Sequence, residues 1–385
     1  MQRRVLFLML IVLLAVGALP VVRSVGSLVP DSLHVLIFGK PDIELDVAGL
    51  LAAGAGLRET YRAKWQAATF APEAKPFAGA RRICVESDPR EDCEFRSLAE
   101  AMAAAEDNDR FLMSPGLYQE ATLIDPNGIT IRAEPGAHLK GRAAKGKAAL
   151  VVRGDDTVIE GLECSDIAVR DRNGACIRLE GRNLTLRGVH FHDSEQGILT
   201  NQGAGKIVVE DSLFERLGAD GQAHGLYIGG TDSELEMRRT HVISTKGEGH
   251  GVKSRGVRTV IEDSVIASLD GQDSRLIDLP NGGLNVIRGN LLQNGRHSSN
   301  ADVIGIGLEL KEPASDAAKN RSEVTGNIII LERRTNNLVH SRQVPAVEFR
   351  GNAVVGGSRD DAVAGNHWFR SRNLAGLGAP PGLLE

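Results

Sequence analysis

The sequence predicts an all-β fold, a single-stranded right-handed parallel β-helix, over about residues 81–370. Three observations predict this solenoid. Short runs of Val, Ile and Leu alternate with polar residues, so the apolar spacing is two, as in strands, and not 3.6. Similar runs return at steps of about 23 to 28 residues, which indicates an array of repeats. The chain has 44 Gly but only 3 Tyr and 2 Trp, which is typical of many short strands joined by tight turns.

The first 80 residues show no repeat. Arg3 and Arg4 precede an apolar run at residues 5–22, so residues 1–24 are predicted to be a signal peptide or a membrane anchor. The run is near the lower length limit for a spanning helix, so cleavage and an inner-membrane tether through residues 5–22 both stay open. Either outcome predicts a periplasmic or secreted protein. Residues 25–80 are predicted to be a partly helical spacer, with a helix over residues 47–69.

A capping helix is predicted just before the repeats. Ser97 and Glu100 form a capping box, in which Ser97 accepts from the amide of Glu100 and Glu100 accepts from the amide of Ser97. The helix is expected to run to about Glu106, and a turn at Pro115 and Gly116 follows the first strand after it.

The coils share one pattern: two or three β-branched residues, then Gly or Asp, then Ser or Asn. Equivalent polar residues are expected to stack at one corner of the solenoid and to bond turn backbone groups; they are Ser212, Ser264, Asn290, Asn327 and Asn352. A leucine-rich repeat is excluded because no fixed Leu ladder is present. One longer step contains an insertion at residues 311–322, and residues 371–385 are predicted to be a C-terminal tail.

The capped helix, the SPGLYQE turn at residues 114–120 and coils such as VIRGN at residues 286–290 resemble the pectate-lyase-like family of right-handed β-helix proteins, over about residues 84–357. The succession HGLYIGG, GHGVKSRG and IDLPNGG, which begins at His224, is most similar to exported bacterial β-helix proteins of undefined activity. The resemblance implies the fold. It leaves the activity open, because the family includes lyases, hydrolases, epimerases, esterases and binders.

Composition limits the compartment and the partners. A net charge of −5 argues against a nucleic-acid partner. Cys84 and Cys93 flank an acidic loop and are predicted to form a disulfide, whereas Cys164 and Cys176 are equally compatible with a disulfide and with buried free thiols. No Cys/His spacing indicates zinc, so no metal site is predicted.

In the middle coils, the second strand of each coil carries polar residues that alternate with apolar ones. Alternation places Leu226, Val252 and Ile277 inward, so the residues that follow them point outward from consecutive coils about 5 Å apart; these are Tyr227, Lys253 and Asp278. Arg255 is expected on the same face, and His224 and His250 are expected to stack at its edge.

Such a patch suits an acidic polysaccharide. Lys253 and Arg255 could neutralise a uronate carboxylate, His250 or Lys253 could remove the proton on the neighbouring ring carbon, and Tyr227 could exchange a proton with the leaving oxygen. The candidate catalytic residues are therefore His250, Lys253, Arg255 and Tyr227. The candidate substrate-binding residues are His224, Arg275, Asp278, Asn281, Glu309 and Lys311. The function predicted from them is an exported lyase or epimerase of a uronate-containing polysaccharide.

Other interpretations stay open. Exposed Lys253 and Arg255 could be solubilising, the two His-Gly pairs could bond backbone at turns, and Asp278 could form a cross-strand ion pair with Lys253. The alternative function is a non-catalytic periplasmic protein that binds a polysaccharide during export or assembly.

Hydrolase and calcium chemistry are less favoured. Residues 249–251 resemble a fragment of the polygalacturonase pattern, but the paired aspartates of that family are missing from the neighbouring coils, and hydrolysis needs two carboxylates at one bond. No cofactor is predicted. Calcium is weakly supported, because only Asp278 and Glu309 could contribute to the acidic cluster with which pectate lyases bind it.

Overall fold

The structure is a computed structural model that describes residues 47–66, 77–314, 316, 318–333, 336–357 and 364–378. The predicted export segment, most of the spacer and residues 379–385 lie outside the described residues. The chain divides into two units, Met1–Arg58 and Glu59–Glu385. Helix α1 (Val47–Gln66) crosses this division. Among the described residues, no helix is both long and apolar enough to cross a membrane.

The second unit is a parallel β-solenoid, which confirms the predicted fold class. Its strands form three sheets, and neighbouring strands within each sheet come from successive coils. Sheet A contains β1 (Arg81–Ile83), β2 (Arg110–Met113), β5 (Thr130–Ala133), β8 (Thr157–Glu160), β11 (Leu184–Arg187), β14 (Lys206–Glu210), β17 (Glu234–Arg238), β20 (Arg258–Glu262), β23 (Leu284–Arg288), β26 (Arg321–Thr325) and β29 (Glu348–Arg350).

Sheets B and C complete each coil. Sheet B contains β3 (Gly116–Tyr118), β6 (Ala137–Lys140), β9 (Glu163–Ser165), β12 (His190–His192), β15 (Leu213–Glu215), β18 (His241–Ile243), β21 (Val265–Ala267), β24 (Leu291–Asn294), β27 (Ile328–Leu331), β30 (Ala353–Gly356) and β31 (His367–Phe369). Sheet C contains β4 (Thr122–Ile124), β7 (Ala148–Val152), β10 (Ala175–Leu179), β13 (Gln196–Thr200), β16 (Leu226–Ile228), β19 (Val252–Ser254), β22 (Ile277–Leu279), β25 (Asp302–Ile306) and β28 (Asn337–Ser341).

Each coil passes through sheet A, then sheet B, then sheet C, and its inward side chains fill one continuous core. In the coil of β17, β18 and β19, the inward residues Leu235, Met237, Val242 and Val252 are all buried in this core. One coil buries only a few side chains, so its apolar face is covered only when neighbouring coils stack on it.

The predicted capping helix is α2 (Leu98–Ala103). Ser97 accepts from the amide of Glu100 as predicted, but Glu100 accepts from the amide of Arg96 and not from that of Ser97. The helix also ends before the predicted Glu106. The amide of Glu106 donates to the Asp109 carboxylate, which holds a turn at this point.

The predicted polar corner is present as a hydrogen-bonded ladder. The amide of Ser264 donates to Asn290 Oδ1, and the same contact repeats from Asn290 to Asn327 and from Asn327 to Asn352, each at 2.9 Å. The ladder continues to Asn366, which the repeat pattern did not predict. Ser212 accepts from the amide of the preceding coil in the same way.

All four cysteines are paired in the structure. Cys84 bonds to Cys93, as predicted, and Cys164 bonds to Cys176. The second pair, which the sequence left open, joins β9 to β10 inside the core. Both sulfur atoms there are shielded from solvent.

Candidate functional site

The candidate site lies on the outward face of sheet C. Tyr227, Lys253 and Asp278 are register neighbours on β16, β19 and β22. The residues that precede them, Leu226, Val252 and Ile277, are fully buried in the core. The predicted alternation is therefore present, and the three side chains line up across consecutive coils.

Sheet C changes character along its length. In its first strands, an apolar group of Ala148, Val151, Ala175 and Leu199 packs together beside the polar residues Arg178 and Gln196. The register neighbours that follow Leu199 on β16, β19 and β22 are Tyr227, Lys253 and Asp278. We call the following residues the sheet C cluster: His224, Tyr227, His250, Lys253, Arg255, Arg275, Asp278, Asn281 and Glu309.

Two stacked imidazoles form one edge of the sheet C cluster. The ring centroids of His224 and His250 are 4.9 Å apart and the ring planes differ by 22°. His224 Nδ1 accepts from the amide of His250 at 3.0 Å, and His250 Nδ1 accepts from the amide of Arg275 at 3.1 Å. A neutral imidazole that accepts at Nδ1 carries its proton on Nε2. Each neutral ring is therefore a hydrogen-bond donor at Nε2.

The glycines after these histidines are required by the spacing of the coils. A Cβ atom on Gly225 would lie 2.4 Å from the carbonyl oxygen of Gly251, and one on Gly251 would lie 2.7 Å from that of Leu276. Together with the imidazole contacts, this agrees with the structural interpretation of the His-Gly pairs as groups that bond backbone.

Burial keeps both histidines neutral. Burial, and secondarily the charges of Lys253 and Arg275, lowers the pKa of His250 to about 3. Burial and the nearby cations also hold the pKa of His224 well below its usual value. The contact of 3.5 Å between His250 Nε2 and Asp278 therefore joins a neutral ring to the carboxyl and is not an ion pair.

A carboxylate is bound between two cations at the centre of the cluster. Glu309, on the loop after β25, lies 2.6 Å from Arg255 and 3.3 Å from Lys253 Nζ. Arg255 also donates to the phenolic oxygen of Tyr227 and to Asn281, both at 2.9 Å. Burial opposes ionisation of Glu309, but its hydrogen bonds and the nearby cations outweigh this effect and lower its pKa.

Asp278 lies beneath these cations. Its side chain is 3% exposed and contacts Lys253 at 3.5 Å and Arg275 at 3.3 Å. Burial raises the pKa of Asp278, although Lys253 and Arg275 act in the opposite direction. Arg275 also pairs with Asp302 at 3.0 Å, so Asp278 is held inside a charged network.

Two members of this network, Asp302 and His340, were not predicted from the sequence. Asp302 bonds to Arg275, and it also bonds to His340 at 2.9 Å. Asp302 is the β25 equivalent of His224, His250 and Arg275, so the repeat alignment contained the signal. Lys311 is exposed, and among the described residues no hydrogen bond or ion pair joins it to the sheet C cluster.

Charge by itself does not distinguish this face. On sheet A, glutamate and arginine alternate from one strand to the next at the same register position, so their charges offset one another. The series is Glu160, Arg187, Glu210, Arg238, Glu262 and Arg288. The sheet C cluster differs because two cations converge on one loop carboxylate, and one of them, Arg255, also donates to a phenol and an amide. Its two carboxylates already contact cations, so the donor set does not favour calcium.

Comparisons with known proteins give similarity at the level of the fold. No protein-family model and no curated protein sequence matches the chain. An alginate lyase from Paenibacillus is similar with a TM-score of 0.49 and 18% identity, covering 75% of this chain and 98% of that one. A pectate lyase has a TM-score of 0.47 and 16% identity, with coverage of 74% and 82%. A pectin methylesterase from Aspergillus niger has a TM-score of 0.45 and 12% identity, with coverage of 71% and 88%.

Proposed function

We propose that this chain is an exported lyase that acts on a uronate-containing polysaccharide by removing the proton next to the carboxylate. One observation carries the proposal. The Glu309 carboxylate is bound by Lys253 and Arg255, beside the Tyr227 hydroxyl. The same groups can bind the carboxylate of a uronate residue when Glu309 moves aside.

Carboxylate binding prepares the substrate for proton loss. Two cations close to the substrate carboxylate stabilise the negative charge that develops when the neighbouring carbon is deprotonated. Arg255 is held by Tyr227 and Asn281 as well as by Glu309. These contacts orient its guanidinium before substrate arrives, which lowers the reorganisation needed in the transition state.

Tyr227 is the proposed proton-transfer group. In this mechanism the tyrosinate takes the ring proton, the C–H electron pair forms a carbon–carbon double bond, and the bond to the glycosidic oxygen breaks. The phenol then returns the proton to that oxygen, so Tyr227 is regenerated. A guanidinium that donates to the phenolic oxygen stabilises the tyrosinate.

His250 changes role in this proposal. The sequence favoured it as a base, but its Nδ1 accepts from a backbone amide and its Nε2 carries the proton. We assign it instead to positioning Asp278 and the cations. Hydrolysis stays disfavoured, because Asp278 is buried and one accessible carboxylate, Glu309, does not make a catalytic pair.

Two features support export. The chain contains two disulfides, which are typical of proteins outside the cytoplasm. The N-terminal sequence also resembles an export segment. An acidic polysaccharide is the proposed partner in that compartment, and a tether through residues 5–22 remains part of the proposal.

The test is product formation from a panel of polymers. The purified chain is incubated with polyuronates and with a neutral glucan, and unsaturated uronate ends are followed by ultraviolet absorbance. We expect product from at least one polyuronate and none from the glucan. Tyr227→Phe and Arg255→Gln should each lower the rate by about 100-fold or more.

Arg258→Gln is the matched control. Arg258 follows Arg255 in the same coil but pairs with Glu236 on sheet A, so its removal should leave the rate within about twofold of wild type. Equal rates for wild type, Tyr227→Phe and Arg255→Gln would refute the assignment. Salt-sensitive binding to a polyuronate without double-bond formation would also refute it and would support the binding protein.

A further inference from the structure

A second group of potential ligands lies on the outward face of sheet B, apart from the sheet C cluster. It contains His138 on β6, Glu163 on β9 and His192 on β12. One ligand atom from each of the three lies within 4.8 Å of the others. The other such triple among the described residues contains Cys84 and Cys93, whose sulfur atoms form a disulfide.

Hydrogen bonds fix which ring nitrogens face Glu163. The Ser165 hydroxyl donates to Asp166, so Ser165 Oγ accepts from His138 Nε2–H at 2.9 Å. His192 Nδ1 lies 2.8 Å from the Asp193 carboxylate, to which it donates. In the neutral rings, the lone pairs of His138 Nδ1 and His192 Nε2 are therefore left for Glu163.

Three acceptor atoms then converge with no donor between them. His192 Nε2 lies 3.2 Å from Glu163 Oε1, and His138 Nδ1 lies 3.4 Å from the same oxygen. Carboxylate and imidazole lone pairs repel one another at this separation unless a cation lies between them. The cation is either a proton shared by a ring and the carboxylate, or a metal ion.

The distances suit a metal ion. With ligand bonds of roughly 2.0 to 2.1 Å, two donors on one tetrahedral zinc ion lie roughly 3.3 to 3.4 Å apart. Both measured separations agree with that edge length. Two histidines and one carboxylate are also a donor set that zinc uses when its fourth position is open to water.

The residues that hydrogen-bond to the proposed ligands also support a metal site. Histidine ligands usually donate their second ring N–H to a carboxylate, which fixes their orientation. Asp193 provides this contact for His192, and Arg216 holds Asp193 through two contacts of 2.8 Å.

We propose that His138, Glu163 and His192 bind a divalent transition-metal ion of the zinc type. The side chains of His138, Glu163 and His192 are 17%, 34% and 15% exposed, so all three are partly accessible to solvent. The ion joins three consecutive coils near the N-terminal end of the solenoid and stabilises their stacking. This site is independent of the proposed lyase activity.

Cobalt binding tests the proposal. The whole chain is prepared without a polyhistidine tag, stripped of metal with a chelator and titrated with Co²⁺, while visible d–d absorption and the melting temperature are recorded. We expect one equivalent to bind with a four- or five-coordinate spectrum and to raise the melting temperature. Glu163→Gln and His192→Gln should weaken binding by about 100-fold, and Asp193→Asn by about 10- to 100-fold.

His190→Gln is the matched control. His190 stacks on His192 with ring centroids 4.4 Å apart, but its Nε2 bonds to Glu215 and not to Glu163. We expect this variant to bind Co²⁺ within about threefold of wild type. The proposal is overturned if wild type binds no Co²⁺, if Glu163→Gln and His192→Gln bind as wild type does, or if His190→Gln weakens binding as strongly as His192→Gln. Asp193→Asn keeps the test valid if a ligand variant does not fold.

Discussion

Backbone amides determine what the stacked histidines of the sheet C cluster can do. The sequence predicted that His224 and His250 stack, because both precede a glycine at the same point of the coil. It did not predict their tautomers. Those depend on the amides of His250 and Arg275 in the next coil, a contact that no spacing rule encodes. The role of His250 as a base therefore could not be judged from the sequence.

The buried carboxyl of Asp273 makes the stability of the fold depend on pH. Its carboxyl is buried, Ser268 donates to Oδ2 at 2.8 Å, and Oδ1 has no hydrogen-bond partner in the described chain. Burial raises its pKa to about 7, although the hydrogen bond from Ser268 acts in the opposite direction. The folded state therefore holds this proton more tightly than the unfolded state does. The resulting stability is complete below about pH 4 and is lost as the pH rises to about 7.

Asp273→Asn should remove this dependence. We expect the variant to gain stability over wild type as the pH rises from 4 to 8, by an amount on the order of 4 kcal/mol at pH 8. Thermal unfolding at pH 4, 6 and 8 measures it. Asp270→Asn is the control, because Asp270 is an exposed carboxylate in the same loop. A stability difference between Asp273→Asn and wild type that does not change with pH would contradict the explanation.

The secondary-structure elements were predicted best where the repeat controls them. Strand faces follow from alternation, and the polar corner follows from the position of Ser or Asn in each coil. Element ends were predicted less well, since they depend on single contacts. The helix α2 ends before Glu106, where the amide of Glu106 donates to the Asp109 carboxylate. Asn366 extends the ladder in the last coil, where the repeat pattern is lost.

The asparagine ladder is expected to stabilise the stacking of the coils through its buried hydrogen bonds. Asn290 is fully buried, accepts from the amide of Ser264 and donates to the carbonyl of Ile261 and to Asn327. Asn290→Ala leaves these groups without partners, so we expect a loss of about 2 to 4 kcal/mol in the free energy of unfolding.

Asn290→Ser is the comparison variant for the ladder. Serine occupies the equivalent place in earlier coils, where Ser264 accepts from the amide of Thr240. We therefore expect it to keep part of the ladder and to lose about half as much stability. Urea unfolding of the three proteins checks this order. If alanine were tolerated as well as serine, the corner would not depend on hydrogen bonding.

For the whole molecule, the solenoid converts sequence spacing into proximity. Residues about one coil apart become register neighbours, which is why Tyr227, Lys253 and Asp278 could be placed together from the sequence. Lys311 lies in the long insertion, where register gives no position. The ligands His138, Glu163 and His192 follow the same register rule on sheet B, but they carry no common motif. Their proximity becomes apparent only when the outward side chains of neighbouring sheet B strands are compared.

In the proposed function, Lys253 and Arg255 form a carboxylate-binding site that Glu309 occupies in the absence of substrate. Calorimetric titration with an oligouronate measures it most directly, in a Tyr227→Phe background so that the ligand is not consumed. Relative to that background, we expect Glu309→Gln to bind about tenfold more tightly, because a competing carboxylate is removed, and Arg255→Gln about tenfold more weakly or worse. Weaker binding by Glu309→Gln, or unchanged binding by Arg255→Gln, would contradict the claim.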